Sequence, residues 1–213
     1  MRAALVITAI LALACGGAAT ETVDDGAMHV WTVSPGAGHP QVELHLVLED
    51  RVAVYVGGKH SGEITIPVIP ESRRDTKGFV MSEIDVDFDG VNDLQVRDDD
   101  ASGAYNHATW VFRFDPSSSS YTKCDAISGL HNLGVDPDTE RVYATSLGNG
   151  VGSSGTETYY QANGGCAFEE LGTMGWDVGL SNGRGDARCT LVGEEEPVWR
   201  MQVTEKPDRK CPE

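Results

Sequence analysis

Apolar residues recur at every second position in short runs cut by turns, along nearly the whole chain, and few folds satisfy that pattern. Val42, Leu44, Leu46 and Leu48 alternate with Gln41, Glu43, His45 and Val47, a period that puts one set of side chains on one face of a strand. After Glu49-Asp50 the period resumes at Val52, Val54 and Val56. Gly57-Gly58 ends it, and Ile64, Ile66 and Val68 restart it before Pro70. Trp110, Phe112 and Phe114 mark a further strand face, closed by Asp115-Pro116 and four serines, with Tyr121 opening the return strand. Asp136-Pro137-Asp138-Thr139 separates strands at 130–135 and 141–147, and Ala162-Asn163-Gly164-Gly165 separates 159–161 from 166–171. Hairpins at intervals of roughly 10–12 residues suit a sandwich or a radial array. No stretch sustains a 3.6-residue apolar period. The fold expected is all-β: a β-propeller-like array of small antiparallel sheets, with a β-sandwich as the alternative. The Gly-rich segment 148–155 reads as a mobile surface loop, the kind of segment that carries binding function.

Asp85-Val86-Asp87-Phe88-Asp89-Gly90-Val91-Asn92-Asp93 interrupts this pattern with chemistry. Carboxylates at loop positions 1, 3, 5 and 9, with glycine at 6, match the needs of Ca²⁺, a hard cation taking 6–8 oxygen ligands. Gly90 permits the sharp turn, and Val91 offers its backbone carbonyl at position 7. The expected ligands are therefore Asp85, Asp87, Asp89, Val91 and Asp93. An EF-hand needs Glu at position 12, and Val96 stands there. Ile84, Val86 and Phe88 precede or thread the loop and Leu94 and Val96 follow it, so it sits between two strands. In that respect it resembles the integrin-type calcium loops of β-propeller modules.

The N-terminus reads as a secretion signal. Arg2 supplies the positive charge, and residues 3–14 form an apolar run too short to span a bilayer. Ala12-Leu13-Ala14-Cys15 fits ordinary signal cleavage and also resembles a lipobox, with Ala12 where Leu is usual. Five cysteines are present. Assigning Cys15 to lipidation leaves Cys124, Cys166, Cys189 and Cys211, the even number that disulfides in an oxidising compartment require. Of the three pairings, Cys124–Cys166 with Cys189–Cys211 is favoured, because the second bridge pins the C-terminal tail. The organisation expected is a signal at 1–14, a lipidated tether at 15–27 and one all-β domain at 28–213. The protein is expected in the periplasm or at the outer membrane, held by its lipid, with soluble secretion as the alternative.

A formal charge of −17 repels nucleic acid and anionic membranes and steers cationic partners inward. No HExxH, G-x-S-x-G or CxxC pattern occurs, and the six histidines are scattered. Catalysis is therefore not expected. Asp98-Asp99-Asp100 and Glu194-Glu195-Glu196 read as solvated runs, and Arg184-Gly185-Asp186 as a chance tripeptide.

The order of features after the loop is more specific than the loop alone. Residues 105–115 (Tyr-Asn-His-Ala-Thr-Trp-Val-Phe-Arg-Phe-Asp) are followed by Ser128-Gly129-Leu130-His131-Asn132-Leu133, Val135-Asp136, Glu157 with Tyr160, and Asn163-Gly164. This ordered set, from Phe79 to Leu171, resembles a family of periplasmic lipoproteins from xanthomonads and other bacteria. Its best-known member is an immunity protein that inhibits a lysozyme-like hydrolase delivered by a type IV secretion system. The resemblance implies a β-propeller-like fold, a structural calcium ion and a cationic lysozyme-like cell-wall hydrolase as partner. Lysozyme-type enzymes work through paired carboxylates in a cleft, which a protruding polar and aromatic surface can block. Tyr159, Tyr160, Ser154, Glu157 and, less strongly, His131 are the contact candidates. A calcium-stabilised surface-binding or adhesion module is the alternative function.

Overall fold

The computed structural model describes residues 27, 29–48, 50–67, 79–98, 106–148, 153–178, 184–203, 205–208 and 210–211. The expected signal, Cys15, most of the tether and the middle half of the 148–155 loop (149–152) lie outside the described residues. Those described form fifteen strands in three antiparallel sheets, with no closed barrel among them.

Sheet A is a meander of β1 (His29–Val33), β2 (Val42–Leu46), β3 (Arg51–Val56) and β4 (Lys59–Thr65). Sheet B runs β5 (Phe79–Ile84), β6 (Asp93–Asp98), β7 (Ala108–Asp115) and β8 (Ser120–Lys123), with β9 (Leu130–His131) paired to β7. Sheet C is a six-stranded meander of β10 (Leu133–Asp136), β11 (Arg141–Leu147), β12 (Ser154–Ala162), β13 (Phe168–Val178), β14 (Gly185–Leu191) and β15 (Trp199–Val203). The expected array of small antiparallel sheets is what the chain builds.

Sheet B is the middle layer: its apolar face packs on sheet A, and its more polar face meets sheet C around a smaller apolar patch. Leu94, Val96, Phe112 and Phe114 point one way and pack with Val42, Leu44, Leu46, Val52 and Val54 of sheet A. Val111 points the other way and meets Ile84, Val86, Cys124, Leu133 and Val142 in the core shared with sheet C. Each such side chain, once fully buried, contributes about 1.5–3 kcal/mol relative to exposure. Sheet C also carries an apolar outer face of Tyr159, Met174, Trp176, Ala187, Cys189 and Trp199, closed by Cys211 of the tail.

The strand expected at 130–135 is split. Asn132, at φ +46°, leaves Leu130–His131 on β7 and starts β10 on β11. Its side chain joins the two sheets: Oδ1 accepts from His107 N at 3.1 Å and Nδ2 donates to the Thr145 carbonyl at 2.9 Å. A short polar side chain tolerates the left-handed backbone that such a crossing needs.

Both expected disulfides are present. Cys124–Cys166 joins the end of β8 to the β12–β13 hairpin, and Cys189–Cys211 fastens the tail to β14. Asp98 departs from its reading as a solvated turn: it ends β6 at 8 % exposure. Glu194, Glu195 and Glu196 are exposed, as expected.

Candidate metal centre

The aspartate loop connects β5 to β6, closed at its base by the Ile84–Asp93 pair. Phe88 (φ +57°) and Gly90 (φ +83°) both take left-handed backbone, so the chain doubles back within six residues and turns alternate carboxylates inward. Ligand atoms of Asp85, Asp87 and Asp89 lie within 4.8 Å of one another. Internal hydrogen bonds hold the turn: Gly90 N donates to Asp85 Oδ2 at 3.0 Å, and Val91 N to Asp89 Oδ1 at 2.8 Å.

Asp87 and Asp89 are aimed from outside as well. Arg113 on β7 donates through Nε to Asp87 Oδ2 at 2.5 Å and through NH2 to Asp89 Oδ2 at 2.9 Å. Gly165, in the β12–β13 hairpin, donates its backbone N–H to the same Asp87 Oδ2 at 3.1 Å. The Asp87 side chain is 2 % exposed, yet its Oδ1 has no hydrogen-bond partner, and neither has the buried Oδ1 of Asp85. Buried carboxylate oxygens without partners are costly. Two of them in one cluster is the arrangement a cation completes. Three carboxylates against one guanidinium leave two negative charges, matching a divalent ion. The residues present therefore fit a metal.

Asp93 lies beneath the loop, 2 % exposed. Its Oδ1 accepts from Phe114 N at 2.9 Å and its Oδ2 from Val86 N at 3.2 Å, so it ties the loop to β7 and stands apart from the three gathered carboxylates. Burial pushes its carboxyl up to about 7, against the pull of those two N–H donors, with Asp87 and Asp89 adding to the rise. Burial likewise raises Asp85. Arg113 is held above its ordinary value chiefly by its hydrogen bond to Asp87. The Val91 side chain packs on the core between sheets A and B.

The loop is also the meeting point of the three sheets. Asn92 N donates to the Pro35 carbonyl and Asn92 Nδ2 to the Ser34 carbonyl, at 2.8 and 3.0 Å, on the sheet A side. Asp93 and Arg113 anchor it in sheet B, and Gly165 in sheet C. Sequence reasoning missed Arg113 and Gly165, whose only local signals are a charge within an apolar strand and a paired glycine in a turn.

The surface candidates divide. Tyr159 is 2 % exposed and Glu157 6 %, which corrects their reading as contact residues. Tyr159 faces the outer core of sheet C and its hydroxyl donates to Glu157 Oε1. Burial, then the Glu157 hydrogen bond, pushes that hydroxyl's pKa upward. Glu157 Oε2 accepts from Thr145 Oγ1 at 2.9 Å and pairs with Lys206 of the tail. Ser154 is the first residue of β12, opposite Asp177, with its strand position replacing the loop tip expected there. Tyr160 and His131 do come together, half-buried in a depression of about 200 Å³ with Thr145, Thr156 and Thr158.

Fold and site together define an all-β, doubly disulfide-bonded protein with an aspartate loop competent to hold a metal ion. No family model matches the chain, and no curated protein matches it. Among solved structures, a Xanthomonas type IV secretion system related protein is similar at a TM-score of 0.47 and 12 % identity, over 81 % of this chain and 92 % of that one.

Proposed function

We propose that the protein is an exported, calcium-stabilised inhibitor of a lysozyme-type peptidoglycan hydrolase, tethered to the membrane through a lipid on Cys15. The calcium part is carried by one observation: the unpartnered buried oxygens of Asp85 and Asp87 inside the three-aspartate cluster. An all-oxygen donor set on a flexible loop suits Ca²⁺ better than smaller Mg²⁺, which demands near-octahedral geometry, or softer ions that prefer nitrogen and sulfur. Asp85, Asp87 and Asp89 would hold it, with Asp93 supporting from below. The ion neutralises the cluster and fixes the junction of the sheets; no reaction is assigned to it.

The inhibitor part is supported by the ordered motifs between Phe79 and Leu171 and by the charge of −17. An acidic inhibitor gains association rate toward a cationic hydrolase. With Tyr159 and Glu157 committed to the interior, Tyr160 and His131 become the contact residues of this proposal. The test is cell-wall lysis by a panel of lysozyme-type hydrolases, titrated with the mature protein in calcium. Stoichiometric inhibition, weakened by Tyr160→Ala, is expected. Inhibition of none of them would turn the reading to a surface-binding or adhesion module.

A further inference from the structure

We propose that the Cys124–Cys166 disulfide is part of the cation site, so that cation affinity and the redox state of this one bridge are coupled. The inference rests on the calcium reading above and deepens it. Asp87 presents its free Oδ1 to the cluster because its Oδ2 is held from two sides, by the Arg113 guanidinium and by the Gly165 N–H. Arg113 projects from the middle layer and is fixed by β7. Gly165 lies 78 residues from Asp87 in sequence and reaches it only while the β12–β13 hairpin stays docked on sheet B. Its immediate neighbour is Cys166, bridged to Cys124 with 4.8 Å between their Cα atoms. Cys124 itself is fully buried in the core between sheets B and C, so this bridge fastens the hairpin at its closest approach to the loop.

Reduction by a dithiol supplies two electrons and two protons, converts the bridge to two thiols and leaves the reductant as a disulfide. The Gly165 donor then loses the covalent tie that holds it on Asp87, and the carboxylate is free to rotate away from the cluster. Groups that orient a metal ligand from behind typically set affinity by about 10–100-fold. Binding linkage is reciprocal, so calcium must stabilise the oxidised bridge by the same factor that the bridge strengthens calcium binding. The second bridge, Cys189–Cys211, belongs to the outer core of sheet C, with no such contact with the loop among the described residues, and supplies an internal control.

The experiment is a redox equilibration of the oxidised wild-type protein in dithiothreitol buffers, with calcium and with chelator, each bridge followed separately by alkylation and peptide mass spectrometry. Calcium is expected to shift the equilibrium constant of Cys124–Cys166 by tenfold or more, about 30 mV for a two-electron couple, and to leave Cys189–Cys211 unmoved. Equal shifts in both bridges, or none in either, overturn the coupling. A companion titration compares calcium affinity of the wild type with that of Cys124→Ser/Cys166→Ser and Cys189→Ser/Cys211→Ser. Only the first pair is expected to weaken binding, about tenfold. If the oxidised wild type takes up no calcium, the calcium reading itself fails. If it binds calcium but neither measurement separates the bridges, the coupling alone fails.

Discussion

Two clusters of carboxylates among the described residues are solved in opposite ways. At the tail, Glu157 and Asp136 are 6 % and 8 % exposed, and each meets a lysine delivered by the C-terminal segment: Lys206 on Glu157, Lys210 on Asp136. Thr145 and Tyr159 complete Glu157, and Thr139 completes Asp136 at 2.7 Å. In the aspartate loop, among the described residues, one cation, Arg113, pairs with two of three carboxylates, and two buried oxygens are left without partners. The first cluster is closed by the chain itself, with a disulfide to keep the lysines in place. The second is left open to something from outside. A count of acidic residues does not distinguish the two; the hydrogen-bond inventory does.

The largest expected effect separates the regions through their bridges. Cys189→Ser/Cys211→Ser frees the tail and should cost about 3 kcal/mol in denaturant unfolding, by the same amount with or without calcium. Next, calcium at a hundredfold over its dissociation constant should stabilise the wild type by about 2.7 kcal/mol. At roughly 2–4 °C per kcal/mol for a chain of this size, that is a readily measured rise in melting temperature. Asp87→Asn should abolish the rise, whereas Glu157→Gln should keep it. A calcium response surviving in Asp87→Asn would move the ion elsewhere.

Lys206→Met should cost about 1–2 kcal/mol, because it strips a charged donor from buried Glu157 while two neutral donors remain and the lysine was itself partly in water. It also removes the cation held 5.3 Å above the Trp176 ring. The smallest effect is one of pH. Asp136 is held below its ordinary carboxylate range, first by the Lys210 hydrogen bond and then by Thr139. A depressed folded-state value means stability that is present above pH ~4 and lost as pH falls further. Wild type and Lys210→Met should therefore differ by a constant amount near neutrality and converge in acid. A difference that persisted in acid, once folded Asp136 is protonated, would show that Lys210 acts through packing.

What the sequence shows of this site follows from distance along the chain. The spacing of Asp85, Asp87, Asp89 and Gly90 is local, and it survives intact into the geometry. Arg113 and Gly165 act at separations of 24–26 and 78 residues, and no local pattern announces them. The hairpins were legible because each rests on alternation and a turn. The handover at Asn132 was not, because apolar residues continue on both sides while the partner strand changes. Tyr159 and Tyr160 show the limit most clearly. Neighbouring residues face opposite sides of sheet C, but both sides are covered, one by sheet B and one by the tail, so alternation cannot say which tyrosine meets solvent.

Calorimetric titration of calcium into metal-free, oxidised protein, beside Asp85→Asn/Asp87→Asn, tests the central claim most directly. One ion bound per wild-type chain, with no binding in the double variant, is the expected result. No heat in the wild type, or equal binding in both, would contradict it.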